Sequence, residues 1–447
     1  MSLPRRFLNL IVENGADPGI RSLSCIDLTR YPLFHPPLPT ATTMEACSSS
    51  SIISQQQQTA DAFNTKNKHA DGAAFMVQEK FQLPDPIFSF KAQAADPDYG
   101  WNIDCFPLAD RKVVCVDQSG RAFLFDADTD QVVTMPSLNK PKWRPFSLFV
   151  PGTDNDGGDG EGNSLYIMEK SPKSEAGCSA RCIDQFEAFV YRKPTVTASF
   201  MSWYCQLLPP PPYVRDYAYS QRRHRITSYA VVAGDDDGSW RILVSAEDAG
   251  TYCLDVASNM WSRVGEWTLP FLGKVEYVPE LKLWFGLSAE DQLLAAADLS
   301  AMDSQPELVS SWKELEQNRV WQVTQDPQLV NLGSGRFCIA RFIEKLELGG
   351  DFDNKLTWQD FVILTGVEVT KVVNHGNCSG NRNGRVELQM TTHKSRFHLA
   401  NGAYIDAVSE PFDLPAEAPR NQRTSMEQSK ERISKAKRSE PEQGNDG

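Results

Sequence analysis

The chain has 447 residues, of which 41% are hydrophobic and 10% aromatic, enough for a packed core. Its formal net charge is −13, from 45 Lys and Arg against 58 Asp and Glu. That balance argues against a nucleic-acid partner, because phosphate binding needs concentrated cations.

Short strands dominate the chain in order: Phe7–Val12, Ser22–Leu28, Lys112–Val116, Ala122–Asp126, Leu165–Glu169, Glu187–Tyr191, Ser228–Ala233 and Arg241–Ser245. They continue through Thr251–Asp255, Lys274–Tyr277, Lys282–Gly286, Arg336–Ile343, Asp360–Leu364, Gly384–Met390 and Arg396–Leu399. Each is rich in Val, Ile, Phe, Tyr or Trp and is bounded by turn residues. Asp117-Gln118-Ser119-Gly120 and Asp235-Asp236-Asp237-Gly238 read as hairpin turns. Helical periodicity is scarce; Ser310–Asn318 is the best candidate and reads equally well as strand and turn. No run approaches the ~20 apolar residues of a spanning helix, and Met1–Arg6 leads into no sustained apolar stretch. The expectation is a chain that is not secreted, has no transmembrane segment, and sits in the cytoplasm or nucleus. The 10 Cys are scattered, several inside apolar runs (Cys115, Cys253, Cys338), as small core residues would be.

A loose repeat organises these strands. Its clearest copy is Gly250-Thr251-Tyr252-Cys253-Leu254-Asp255, followed by Ser258 and Trp261 and closed by Leu269-Pro270. An Asp followed by Ser or Thr recurs at Asp27/Thr29, Asp126/Thr129 and Asp298/Ser300, where it fixes a turn. Closures recur at Leu83-Pro84, Met135-Pro136 and Leu208-Pro209, and Trp203, Trp261 and Trp312 fit aromatics packed between neighbours. A period of about 45–65 residues with several strands per unit predicts the blades of a β-propeller. A pair of sandwiches or a solenoid is the alternative. The fold class is all-β, a kelch-like propeller expected to have six blades, with five or seven open. The domain spans residues 1–409, with a low-complexity disordered insertion over 40–72 and a disordered polar tail over 410–447. The first and last strands are expected to pair within one blade, which closes the ring and removes free sheet edges.

A search for chemistry returns structural readings. Gly333-Ser334-Gly335 is too short for a dinucleotide fingerprint and reads as a hairpin turn. The acidic run Asp154–Glu161 fails calcium spacing, since Gly158 and Leu165 stand where ligands are needed. Cys178 and Cys182 offer a zinc half-site, with Cys205 and His224 the nearest further ligands. His375, His393 and His398 read as ordinary polar positions, because an odd separation puts His393 and His398 on opposite faces of one strand. Arg215–Arg225 interleaves Tyr217 and Tyr219 with Arg222, Arg223 and Arg225; it suits a surface loop, or an acidic protein partner, better than single-stranded nucleic acid. Asn377-Cys378-Ser379 is a sequon without meaning in an unsecreted chain, and Lys430–Arg438 has the composition of a nuclear signal. No catalytic, cofactor-binding or metal residues are assigned, and no cofactor.

The run Arg6-Phe7-Leu8-Asn9-Leu10-Ile11-Val12, with Ser22–Arg30, Gly250–Asp255, Gly265–Phe271 and Leu283–Ser288, resembles a plant family of uncharacterised proteins much expanded in grasses. That domain of unknown function is similar to the kelch-like and F-box-associated propellers. The resemblance implies protein recognition and brings no catalytic residues; the chain lacks an F-box and the double-glycine signature of kelch blades. The function expected is therefore a non-catalytic protein-interaction module, acting as a monomer on an unidentified protein partner, with neither nucleic acid nor membrane as ligand. The alternative is a propeller enzyme or glycan-binding protein with its site in the central channel.

Overall fold

The computed structural model describes residues 5–14, 19–35, 79–92, 103–108, 112–152, 162–176, 184–195, 197–220, 222–233, 239–299, 304–315, 321–348, 356–374, 385–400 and 403–409. The expected insertion over 40–72 and the tail over 410–447 lie outside these residues. In chain order the strands are β1 Phe7–Asn14, β2 Ile20–Asp27, β3 Glu79–Lys80 and β4 Phe88–Lys91. Next come β5 Ile103–Leu108, β6 Lys112–Asp117, β7 Ala122–Asp126 and β8 Gln131–Thr134, then β9 Pro145–Val150, β10 Ser164–Glu169, β11 Phe186–Arg192 and β12 Ser202–Leu207. A one-turn helix, Pro212–Arg215, precedes β13 Ile226–Ala233, β14 Trp240–Ala246, β15 Gly250–Asp255 and β16 Met260–Gly265. The rest are β17 Phe271–Val278, β18 Leu283–Ser288, β19 Leu294–Ala297, β20 Leu308–Trp312, β21 Trp321–Gly333, β22 Arg336–Leu348, β23 Leu356–Asn374, β24 Arg385–Ala400 and β25 Ala403–Ser409.

These strands pair as antiparallel four-stranded units: β5 to β8, β9 to β12, β13 to β16, β17 to β20, β21 to β24, and β25-β1-β2-β4. Each unit is a meander whose first strand lies innermost. Between the meanders β13–β16 and β17–β20 the inner strands β13 and β17 pair in parallel over Ser228–Ala230 and Gly273–Val275. Neighbouring inner strands therefore run the same way along a common axis.

The period-2 alternation of side chains explains how the units assemble. In β6, Val114 and Val116 join a buried cluster with Leu165 and Ile167 of the next unit, while Val113 and Cys115 face the other way, onto Ile11 and Leu23. Tyr166 and Met168 of β10 turn away from Leu165 and pack with Ile242 and Val244. Leu243 of β14 packs with Phe271 and Trp284. Leu294 and Ala296 of β19 meet Phe337 and Ile339, and Cys338 and Ala340 meet Leu8 and Leu10. That last cluster returns to the first unit, so the circuit of seams closes. A middle strand of each sheet is apolar on both faces because it serves two seams at once. A closed ring of radially packed meanders is a β-propeller.

The ring closes through the ends of the described chain. Strand β25 pairs with β1, from Asn9↔Ser409 to Asn14↔Ala403, and becomes the innermost strand of the first unit. Strand β3 pairs with β24, and Arg396 bridges to Glu79 at 2.8 Å. The Arg5 N–H also donates to the Leu332 carbonyl at 2.8 Å.

The repeat elements take structural roles. Asp27 accepts from the Thr29 N–H and hydroxyl at 2.8 and 2.7 Å, and Asp255 accepts from both groups of Ser258 at 2.7 Å. Met135, Leu208 and Leu269 each plug a different seam. Trp261 packs into the seam beside Leu208, and its indole N–H donates to the Pro209 carbonyl at 2.8 Å. Gly333–Gly335 turns the hairpin from β21 to β22, with positive φ at all three residues. The segment Ser310–Asn318 opens within β20 rather than a helix. Gly384–Met390 and Arg396–Leu399, which read as two strands, belong to the single strand β24.

Candidate functional site

The inner strands β5, β9, β13, β17 and β21 enclose a cavity of about 980 Å³ on the ring axis. That is at the upper end of the volumes small-ligand pockets occupy. Among the described residues that line it are eight Lys and Arg (Arg21, Lys140, Lys142, Arg144, Lys170, Lys173, Arg223, Lys274) and four Asp and Glu (Asp104, Asp117, Glu169, Asp326). Three of these cations are paired with carboxylates behind the lining, Arg21 with Glu13, Lys142 with Glu187 and Lys274 with Glu276, so the unbalanced positive charge sits on the remaining ones, in a chain whose net charge is −13. A channel with low-dielectric walls focuses such a field toward its mouth.

Three segments build this mouth. The run Lys140-Pro141-Lys142-Trp143-Arg144 leads into β9, Glu169–Lys173 ends β10, and Arg223–Arg225 leads into β13. Backbone bonds stitch them together: the Lys170 N–H donates to the Arg144 carbonyl at 3.3 Å, and the Ile226 N–H to the Lys170 carbonyl at 2.7 Å.

Most charges on these segments are paired. Lys142 meets Glu187 with both side chains fully buried. Glu187 also accepts from Asn139 N and Nδ2 at 2.9 and 2.7 Å, from Lys140 N at 3.3 Å and from Cys205 Sγ at 3.0 Å. Burial pushes the Glu187 carboxyl up, but Lys142 and these donors outweigh it and hold it below the usual glutamate value. Burial pulls the Lys142 ammonium down against the attraction of Glu187. Lys140 reaches Glu169 at 3.4 Å. Asp326 of β21 crosses the channel to bind Lys170 at 3.0 Å and Arg225 at 2.6 Å, joining units on opposite sides of the ring. Burial works against the Asp326 charge, yet the two cations hold its carboxyl low.

Three cations of these segments stay outside this pairing. Arg144, Lys173 and Arg223 are exposed and make no ion pair with any described residue. Trp143 stands beside Arg144 with 48% of its surface exposed. Deeper in, burial pushes the Asp104 carboxyl up to about 7, while the charge of Arg21 pulls the other way. Tyr229 of β13 stacks on Phe146 at 4.2 Å and walls the channel; burial first, and then Asp326, raise its hydroxyl to about 12.

The residues weighed from sequence fall mostly elsewhere. Asp154–Glu161, Cys178, Cys182, Asp235–Asp237, His375, the sequon and Lys430–Arg438 lie outside the described residues. Cys205 is engaged by Glu187, and His224 is buried between the carbonyls of Glu247 and Tyr219 at 2.8 and 3.2 Å. His393 faces Glu368 at 3.2 Å, whereas His398 lies 3.4 Å from the Phe81 carbonyl. The structure does not bring these groups together; among the described residues no three His, Cys, Asp or Glu side chains form a metal-sized cluster. The basic run Arg215–Arg225 contributes Arg223 to the cavity and Arg225 to the ion triad, while Tyr217 is exposed and Tyr219 packs edge-on against His224. Lys140–Arg144 was missed, although it has the same cation-plus-aromatic composition as the run that drew notice. No described helix is long and apolar enough to cross a membrane.

Residues 5–398 match the family described as "Protein of unknown function (DUF1668)". The chain belongs to the DUF1668 family. No curated protein matches it. Among solved structures it is similar to a protein of unknown function from Bacteroides thetaiotaomicron, at 12% identity and TM-score 0.28, over 62% of this chain and 66% of that one. It is also similar to the β-propeller domain of Cps50 (Swd1) from Myceliophteria thermophila, at 10% identity and TM-score 0.24, over 60% of this chain and 96% of that one. The first match spans just under two thirds of the neighbour's length. The fold assignment for this member of DUF1668 rests on its own ring of sheets and seams.

Proposed function

We propose that this chain is a six-bladed, kelch-like scaffold that binds another protein at its channel mouth, as a monomer in the cytoplasm or nucleus, without catalysis of its own. The observation that carries this reading is the contrast between paired and unpaired cations at the mouth. Ion pairs, one of them fully buried, tie its three segments together, while three exposed cations and a half-exposed Trp on those segments make no ion pair with any described residue. Loops on a rigid frame are where propellers place recognition. Asp117, Glu169 and Asp326 are each held by a cation, which ties up the carboxylates that acid–base chemistry would need. A propeller enzyme is the second reading, and it rests on one group, Asp104, whose carboxyl near 7 suits proton transfer.

Proximity labelling with the full chain in its native cell tests the proposal. Reproducible partners above background are expected, and a cullin-type ligase scaffold among them would assign the chain to substrate recognition. Repeated labelling with no partner above background would overturn it.

A further inference from the structure

We infer that the channel mouth binds an acidic, carboxylate-rich segment of the partner, gripped by Arg144, Lys173 and Arg223 beside Trp143. This rests on the protein-binding reading and gives its ligand a chemistry. The first support is charge. The three cations line one concavity, are exposed, and have no ion-pair partner among the described residues, in a protein that is acidic as a whole. A net charge of −13 repels an acidic peptide in general, whereas three unpaired cations converging on one concavity attract it locally.

The second support is backbone geometry. Arg144 has φ of +47°, and among the described non-glycine residues with positive φ it alone stands outside a turn between paired strands. It precedes Pro145, where the allowed conformations are already narrowed. A non-glycine residue persists in that region only when its surroundings impose it. Here Glu187 clamps the loop from below through Asn139, Lys140 and Lys142, and the Lys170 N–H clamps the Arg144 carbonyl. Burial, and then Arg225 and Arg144, pull the Lys170 ammonium down against the attraction of Asp326.

A peptide fits these observations better than nucleic acid. Stacking successive bases needs a series of aromatic platforms, and among the described residues lining the cavity Trp143 is the one exposed ring. A cavity of about 980 Å³ open at its mouth admits a few residues of extended chain, whereas a long polyanion would meet the acidic body.

The test uses the full chain and fluorescein-labelled octaglutamate, followed by anisotropy at low and moderate salt. An octapeptide of alternating Gly and Ser serves as control, and octauridylate as the competing class. Wild type is expected to bind octaglutamate, with affinity falling as salt rises. The R144E/K173E/R223E variant should lose at least tenfold. A charge-matched R30E/R241E/K371E variant, reversed at exposed cations outside the cavity, should stay within twofold. Arg144→Gly should weaken binding at least twofold while keeping or raising Tm, which separates loss of the contact from loss of the fold. Three results would overturn the inference: no binding of octaglutamate, equal binding by the mouth variant, or octauridylate binding as tightly. Cellular partners retained by the mouth variant would also overturn it while leaving the protein-binding reading intact.

Discussion

Lys142→Met removes the cation beneath the mouth and leaves Glu187 buried against neutral donors only. In the parent both side chains are fully buried, and Lys142 donates also to the Lys140 carbonyl at 2.6 Å. Breaking a buried ion pair from one side costs about 3–5 kcal/mol, because the remaining charge cannot reach water. Asn139 Nδ2, two backbone N–H groups and Cys205 still serve the carboxylate, so the lower end, about 3 kcal/mol, is expected. Adding Glu187→Gln removes the charge and keeps an acceptor for those donors, so K142M/E187Q should recover part of the loss, with a coupling of at least about 1.5 kcal/mol. The sign with pH follows. The parent carboxyl is held below its unfolded value, so its contribution is present above about 4.5 and is lost on acidification. In K142M the carboxyl takes up a proton more readily, and the deficit narrows as pH falls. Urea unfolding followed by Trp fluorescence at pH 7.5 and pH 4.5 measures all of this. A K142M deficit under about 1 kcal/mol at pH 7.5, or additive single variants, would refute the claim that the pair holds the loop.

Two other perturbations probe the frame and the channel. Asp104→Asn should stabilise the protein by on the order of 2 kcal/mol at pH 8 and hardly at all at pH 4, because the parent carboxyl is raised to about 7 and its burial costs stability only as pH climbs from about 4 to 7; thermal unfolding across that range checks it, and a gain independent of pH would contradict it. Gly286→Ala should cost about 1–3 kcal/mol, since the new Cβ would lie 2.7 Å from Cδ1 of the fully buried Phe271 in the seam between the β13–β16 and β17–β20 meanders. An unchanged urea midpoint would show that this seam yields.

The strands most legible in the sequence are those buried on both faces. Strand β6, with Val113 to Val116 all inside, and β10, buried along its whole length, read as continuous apolar runs. Hairpins such as Asp117–Gly120 were readable because Asp117 Oδ1 accepts from the N–H groups of Ser119 and Arg121, and Gly120 takes φ of +79°. Rim strands were not. Strand β8 is exposed at all four residues and β20 at alternate ones, so neither carries a strong pattern. The inner strand β21 is interrupted by the polar residues that face the channel, including Asp326 and Gln328. In β24 the polar stretch Thr391–Lys394 split one long strand into two apparent ones.

The site itself was legible in pieces. Arg223 and Arg225 belong to a basic run that the sequence displays openly. Lys140–Arg144, Lys173 and Asp326 lie in segments far apart along the chain, and only closure of the ring brings them to one cavity. Sequence periodicity reports which residues are buried in seams. It carries no information on which loops meet across the axis, because that depends on how many units close the circle.

Site-specific photo-crosslinking tests the central claim most directly. A photoreactive phenylalanine analogue replaces Trp143 at the channel mouth or, as comparison, Trp358 of β23, which is 52% exposed and absent from the cavity lining. With the full chain in its native cell, position 143 should yield a discrete adduct whose crosslinked peptide is rich in Asp and Glu, and R144E/K173E/R223E should abolish it. Adducts from position 358 alone, or a crosslinked peptide without acidic residues, would contradict the account.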